Sequence, residues 1–367
     1  MSDSPVTGLS VEYQRTPLAV ATSRPRLSWL PGRSQAGYEI EVLRAGRPVA
    51  SSGRVVSRES HLVEMPGAEL ESDTDYEWRV RITDQAGTVS SWATAGFGTA
   101  LLRPEDWRAQ WVTPKDRATT TERWTMLDWI TGRRPAGPVA DRLRPVRLLR
   151  QRFTVAAPVV RARLFMTARG VYSARVNGTV AGDEVLAPGS DSYGSRVSVQ
   201  CYDVTGLIAV GENVLGVALA DGWWAGRIGL TGSSAQFGDS TSAIWQLHLT
   251  TADGRRQVLT SGGDVVSADG PWVWSDLFIG ERFDARRHDP AWSTAGFDDS
   301  AWTPVATEDA ASEVLVPFAG EPVRRGGAPP PRAGGGGPAG GGGAPPRGGG
   351  GRRGGGAAGG RPGPRGR

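Results

Sequence analysis

Apolar and polar residues alternate strictly over short runs along most of this chain. In YEWRVRI, Tyr76, Trp78, Val80 and Ile82 fall on one side while Glu77, Arg79 and Arg81 fall on the other. Period two with one apolar face is the mark of a half-buried strand. YEIEVLR, around Ile40, repeats the pattern, and RAGR and DQAG supply turn residues between such runs. About ninety residues from Leu9 to Thr99 therefore read as an immunoglobulin- or fibronectin III-like β-sandwich, assigned to residues 1–100, with PRLSW as its first strand and SSW…FGT as its last. Between Leu101 and Arg150 the alternation loosens, and TGRRPAGPVADRLRPVRLLR is rich in Pro and Arg, so 101–150 reads as a linker. Strands resume in QRFTV, VRARLFMTA, VYSARVNG, RVSVQCYDVT, NVLGVALA and SAIWQLHLT. An eight- to ten-stranded jelly-roll-like sandwich over 151–318 is the expected second domain. No amphipathic helix longer than two turns is evident. The fold class is all-β.

Composition changes the picture at one end. Glycine numbers 52, about twice the usual ~7% share. From Gly326 onward only Gly, Ala, Pro and Arg occur, a composition that buries too little apolar surface to offset backbone ordering. Residues 319–367 are expected to be a disordered low-complexity tail. All four residue types have GC-only codons, so the tail reads either as a GC-rich gene translated out of frame or as a genuine disordered segment. Its seven arginines account for more than the formal charge of +4, so the body is acidic and calls for no specific nucleic-acid partner. The tail also lacks the aromatics that stack bases in single-strand binders. With one cysteine, Cys201, no internal disulfide can form. MSDSPVTGLS lacks a basic start followed by an apolar run, and no apolar stretch approaches the ~20 residues of a membrane span. The expectation is a cytoplasmic protein with no membrane partner.

Chemistry is sparse. Asp183–Glu184 and Asp298–Asp299 are adjacent carboxylates in turn-like contexts, better suited to local backbone capping than to acid–base work. His61, His248 and His288 show no ligand spacing, and His248 reads as a strand-face residue. GWWAGRIG stands apart. On a strand its two tryptophans would face opposite ways, one into the core and one outward. Asp221, Trp223, Trp224, Arg227 and Asp239 together offer the flat aromatic faces and polar partners that carbohydrate binding uses.

Several runs, in order, resemble a known family. GVYSARVNGTVAGDEVLAPG, RVSVQCYDVTGLI, GENVLGVALADGWWAGRIG and DLFIGERFDARRHDPAWSTAGFDDSAW are similar to the N-terminal β-domain of bacterial α-L-rhamnosidases of glycoside hydrolase family 78. PRLSW, YEWRVRITD and DWRAQW resemble the sandwich that precedes it in those enzymes. The resemblance implies a role in hydrolysing terminal α-L-rhamnose from glycosides. It also implies that the carboxylates of that inverting reaction sit in an (α/α)6 barrel following a run like VPFAGEPVRR, where this chain turns to Gly, Ala, Pro and Arg. No catalytic residue carries over, and the chain alone is expected to be inactive. A standalone rhamnose-binding module is the alternative, and a ligand-free structural fragment a third. Some relatives bind rhamnose through a calcium-assisted site, for which Asn177 is the candidate here, although Val176 stands before it in place of an acid. Asn177–Gly178 also reads simply as a hairpin turn. The outward tryptophan of the pair reads either as a sugar platform or as a seal against the catalytic barrel. GERFDAR reads as a loop organised by its own charges.

Overall fold

The computed structural model describes residues 6–115, 121–133, 137–310 and 315–324. Most of the predicted tail lies outside these residues, so its frameshift and disorder readings do too.

The first domain contains β1 (Thr7–Val11), β2 (Arg26–Leu30), β3 (Gln35–Arg44), β4 (Arg47–Val55), β5 (Val63–Glu64), β6 (Asp75–Asp84) and β7 (Ala93–Gly98). One sheet runs β1-β2-β5 and the other β4-β3-β6-β7, which is a two-sheet sandwich. PRLSW forms β2 rather than the first strand, because TGLSV pairs ahead of it as β1. The period-two reading of YEWRVRI holds residue by residue: Tyr76, Trp78, Val80 and Ile82 are buried. On the wet face Arg79 and Arg81 pair across to Glu41 and Glu39 at 2.6 and 2.5 Å, as their register dictates. Trp29 and Trp78 meet at the centre with ring centroids 6.4 Å apart. The Trp29 indole donates to Gln35 Oε1 at 2.9 Å, so its buried polar atom is satisfied.

The second domain adds β8 (Gln110–Thr113), then two single helical turns, α1 (Met126–Ile130) and α2 (Val139–Arg142). There follow β9 (Arg147–Val155), β10 (Val159–Arg169), β11 (Val171–Val176), β12 (Thr179–Val180), β13 (Val197–Asp203) and β14 (Gly211–Ala220). A third helical turn, α3 (Gly222–Ala225), leads to β15 (Ser242–Thr251), β16 (Arg256–Thr260), β17 (Val266–Asp269), β18 (Trp272–Asp276) and β19 (Gly280–Phe283). The chain ends in β20 (Thr303–Pro304), β21 (Ala306–Asp309) and β22 (Leu315–Pro317). One sheet runs β21-β8-β15-β10-β13-β22 with β16 on β15, and the facing sheet runs β12-β11-β14-β9-β17-β20. Leu164, Met166, Trp245 and Leu247 from one sheet meet Leu149, Leu215 and Val217 from the other.

The stretch expected as a linker takes part in both sheets. Trp111 and Val112 of β8 are fully buried, and β9 begins at Arg147. These strands and the short edge pieces raise the sandwich above the ten strands expected. Of the stretch expected as tail, residues 319–324 run back along the second domain: Val185 N donates to the Val323 carbonyl at 2.8 Å, and Arg324 pairs with Asp183. Among the described residues no helix is long and apolar enough to cross a membrane, which leaves strands out of consideration.

The two sandwiches meet along an apolar strip and a charged one. Leu101, Phe165 and Val199 form the first, with Ala19 and Trp107 against them. In the second, Arg161 reaches Asp75 at 2.6 Å and Asp73 at 2.8 Å, while His248 meets Asp73 at 2.6 Å.

Close packing within the second sandwich leads to a test. A Cβ added at Gly216 would lie 2.7 Å from both the Ser293 Cβ and the Trp292 ring, two buried residues that cannot move aside. Gly263 has open space and no left-handed φ. G216A should destabilise the second sandwich by about 1–3 kcal/mol and G263A by less than ~0.5 kcal/mol, measured by urea unfolding.

Candidate functional site

GWWAGRIG is not a strand. Gly222 adopts φ +52°, and a Cβ there would lie 2.7 Å from the Val171 nitrogen, so only glycine lets the chain turn this tightly against β11. The next three residues complete one helical turn, closed by Ala225 N to Asp221 O and Gly226 N to Gly222 O, both at 3.1 Å. Successive side chains on a helix point about 100° apart rather than to opposite sides. Trp223 and Trp224 are accordingly both half-buried, and neither enters the core, which corrects the expectation that one of them does.

Their surroundings differ. The Trp224 indole donates to the Ser240 carbonyl at 2.9 Å. Tyr193 packs edge-on to it at 5.1 Å, with Phe237 at 6.5 Å and the Arg169 guanidinium at 5.7 Å from the ring. Gly238 lies so close that a Cβ would fall 2.4 Å from the indole nitrogen. Trp224 is walled in by the 236–240 loop. Trp223 makes no ring contact or hydrogen bond among the described residues and keeps part of its surface open.

Beneath the turn lies a buried charge cluster. Arg227, 4% exposed, places Nε and Nη2 on the two oxygens of Glu122 at 3.1 and 2.6 Å. Its Nη1 and backbone N–H reach Asp276 Oδ2 at 3.3 and 3.0 Å. Glu122 also accepts from Arg142 at 2.6 Å and from the Trp124 indole at 3.2 Å. Burial pushes the Glu122 carboxyl up, but the Arg227 bonds outweigh it and hold the group below the usual carboxylate range. Asp221 accepts from Arg144 Nε at 2.6 Å, yet burial dominates and leaves its carboxyl above the ordinary value. Arg144 Nη2 also donates to the Asp239 backbone carbonyl at 2.6 Å. Asp239 itself is exposed.

Five of the six candidate residues thus gather around one turn, and most of their polar capacity is turned inward. Asn177 lies at the other end of β11, about 20 Å from Val171 at ~3.3 Å per residue. It sits at φ +50° followed by Gly178 at +85°, the left-handed pair that a two-residue hairpin turn requires. Its amide donates to the Leu207 carbonyl and Asn213 Oδ1 at 2.9 and 2.7 Å and accepts from Val214 N at 2.9 Å. The side chain knits β11 to β14. Among the described residues no three His, Cys, Asp or Glu side chains cluster as a metal would need.

The adjacent carboxylates are also engaged, Asp298 by the local capping expected of it and Asp299 with distant arginines. Asp299 pairs with the buried Arg150 and with Arg152 at 2.6 Å, while Asp298 caps the Ser300 N–H at 3.0 Å. In GERFDAR, Asp284 accepts from Arg286 N, Nε and Nη2 at 3.2, 2.9 and 2.8 Å, an internally organised loop. Sequence reasoning missed Glu122, Arg142, Arg144 and Asp276. Glu122 is 105 residues from Arg227, and no local spacing joins them.

This architecture has known counterparts. Residues 157–326 match the family described as "Alpha-L-rhamnosidase N-terminal domain", and residues 6–103 match the "Rha78A-like, N-terminal immunoglobulin domain". Both sandwiches thus match N-terminal domains of α-L-rhamnosidases. An α-L-rhamnosidase of Streptomyces avermitilis is 29% identical over an alignment covering 88% of this chain and 47% of the relative. One from Formosa agariphila is 29% identical over 82% of this chain and 32% of its own length. The solved α-L-rhamnosidase of Aspergillus terreus superposes with a TM-score of 0.75 at 32% identity, covering 87% of this chain and 36% of that one. The S. avermitilis enzyme, solved with L-rhamnose, gives 0.73 at 26% identity, over 84% and 46%. This chain therefore spans less than half the length of these rhamnosidases. The S. avermitilis alignment runs to 483 positions, more than this chain contains, so that relative carries additional residues within the matched stretch.

The charge cluster makes a definite prediction. Arg227→Met removes the cation that Glu122 and Asp276 share, leaving Glu122 to Arg142 and Asp276 without a charged partner, and should cost about 3 kcal/mol in the second sandwich, measured by chemical unfolding. Asp239→Ala, which leaves the Arg144 contact with the backbone intact, should cost under ~0.5 kcal/mol.

Proposed function

We propose that this chain is the non-catalytic N-terminal portion of an α-L-rhamnosidase and works, in the cytoplasm, beside a catalytic (α/α)6 barrel that removes terminal α-L-rhamnose from glycosides. The reading is carried by one observation: both domains match the family in order, within relatives two to three times as long. The carboxylates singled out in the sequence support it from the other side. Asp183, Asp221 and Asp299 are each paired with an arginine, an arrangement that organises structure rather than a water and a glycosidic oxygen.

An exposed apolar face fits the same role. In α1 the run MLDWI leaves Leu127 68%, Trp129 56% and Ile130 69% exposed. The turn is nevertheless rigidly framed, with Thr125 and Asp128 capping each other's backbone N–H and Arg133 on Asp128 at 3.0 Å. Leu230 and Phe278 add exposed apolar surface. The occupant this reading assigns to that face is the catalytic portion, placed in the half or more of the relatives' length that this chain does not span.

A second reading, a rhamnose-binding module, is favoured by the partly open Trp223 ring. One experiment separates the two. Purified protein is assayed on a chromogenic α-L-rhamnoside and titrated with L-rhamnose by tryptophan fluorescence. The scaffold reading expects no turnover above a tag-only control and no saturable quenching. Saturable quenching lost in Trp223→Ala would establish the binding module instead. Turnover would overturn both.

A further inference from the structure

The charged strip between the sandwiches contains a hydrogen-bond arrangement that fixes one proton. Gln246 and His248 lie on the same face of β15 and point toward the first domain, away from the core filled by Trp245 and Leu247. The Gln246 amide touches three groups. Its Oε1 accepts from the Arg108 backbone N–H at 2.8 Å, its Nε2 donates to the Asp106 backbone carbonyl at 3.0 Å, and the same Nε2 lies 2.7 Å from His248 Nε2. A backbone N–H can only donate and a carbonyl can only accept, so the amide cannot be turned round without losing both backbone bonds. Its second proton must therefore point at His248 Nε2, which must offer a lone pair. The single ring proton is left on Nδ1 and goes to Asp73 Oδ2 at 2.6 Å. The arrangement requires a neutral imidazole in the Nδ1–H form.

We propose that Gln246 and His248 form an acid-sensitive joint between the two sandwiches, closed when His248 is neutral and loosened when Nε2 takes a proton from solvent. Protonation sets an N–H against the Gln246 N–H at a separation suited only to donor and acceptor. The ring cannot easily move off, because Asp73 holds it from the other side. Burial pushes the Asp73 carboxyl up, but its bonds to His248 and Arg161 outweigh that and keep it below the usual range, so it stays ionised. Phe165 packs edge-on against the imidazole at 5.4 Å and blocks a sideways exit. The group that yields is Gln246, and with it the Asp106–Arg108 segment through which the first domain passes into β8.

The charges facing His248 come from every neighbouring element. Arg161 and Arg163 lie on β10, the latter directly across from it in register. Asp75 opens β6, Asp106 and Arg108 occupy the junction, and Arg256 lies on β16. Asp75 is taken up by Arg161 at 2.6 Å, and Asp106 accepts from the Ser72 hydroxyl at 2.5 Å, so Asp73 is the carboxylate bonded to the ring. The site borders a cleft of about 980 Å³ between the domains, and the His248 side chain is 17% exposed, which gives protons a route. Histidine is the side chain that ordinarily changes charge between pH 5 and 8.

The test uses the full chain, which has only three histidines, His61, His248 and His288. Nitrogen-15 NMR of the rings should show His248 as the Nδ1–H tautomer at pH 8. Hydrogen-exchange protection of the Arg108 amide should then fall roughly tenfold along the same curve as the His248 ring titrates, the loss of one buried hydrogen bond. Gln246→Glu presents an acceptor to the protonated ring while still accepting from Arg108, and should abolish that fall. An Nε2–H tautomer, or Arg108 protection that stays constant through the His248 titration, overturns the proposal on the unmodified protein, whatever the variant does.

Discussion

Everything in the second domain is arranged around the pairing of β10 with β15, which join antiparallel along nearly their full length and are buried on both faces. Odd and even positions serve different neighbours. Leu164, Met166, Trp245 and Leu247 fill the space between the two sheets, while Arg161, Arg163, Phe165, Gln246 and His248 lie on the opposite side, toward the first domain. A sandwich standing alone would expose that second face to water. Here it receives Leu101 and Ala19 on an apolar strip and Asp73 and Asp75 on a charged one. The joint between domains is thus an outcome of strand register, since a slip of one residue would send His248 into the core and Leu247 toward Asp73.

The same constraint explains how much could be read from the sequence. Strands with one wet face announce themselves by alternation, and in YEWRVRI the buried face was legible residue by residue. Two-sided burial erases alternation: RARLFMTA and SAIWQLHLT read as strands, but nothing in them says which polar residue meets another domain. The connector was misjudged for a related reason. Proline and arginine in that stretch suggested an open linker, yet Arg142 pairs with the buried Glu122 of the same stretch and Arg144 with the buried Asp221, 77 residues away. An arginine's role depends on what faces it, and that information is non-local.

GWWAGRIG failed as a strand through its glycines rather than its tryptophans. Gly222 and Gly226 each sit where a Cβ would collide with backbone, and together they force a turn that the Trp-Trp pair does not require. The structure makes them the cause of the motif's geometry: the tight turn leaves Trp223 partly open, tucks Trp224 under its loop and brings Arg227 down onto Glu122 and Asp276.

That cluster and the domain joint solve the same physical problem in different ways. Ionised groups removed from water must be paired and hydrogen-bonded, and Arg227, a permanent cation, achieves this with four bonds to two carboxylates. The joint pairs Asp73 with Arg161, a permanent cation, but also with His248, whose charge is conditional. A second arginine at 248 would have secured Asp73 at every pH, but it could not have accepted a hydrogen bond from Gln246. The choice of histidine therefore follows from the need for an acceptor on one side and a donor on the other. An amide could also accept on one side and donate on the other, but only the imidazole loses its acceptor when it takes up a proton.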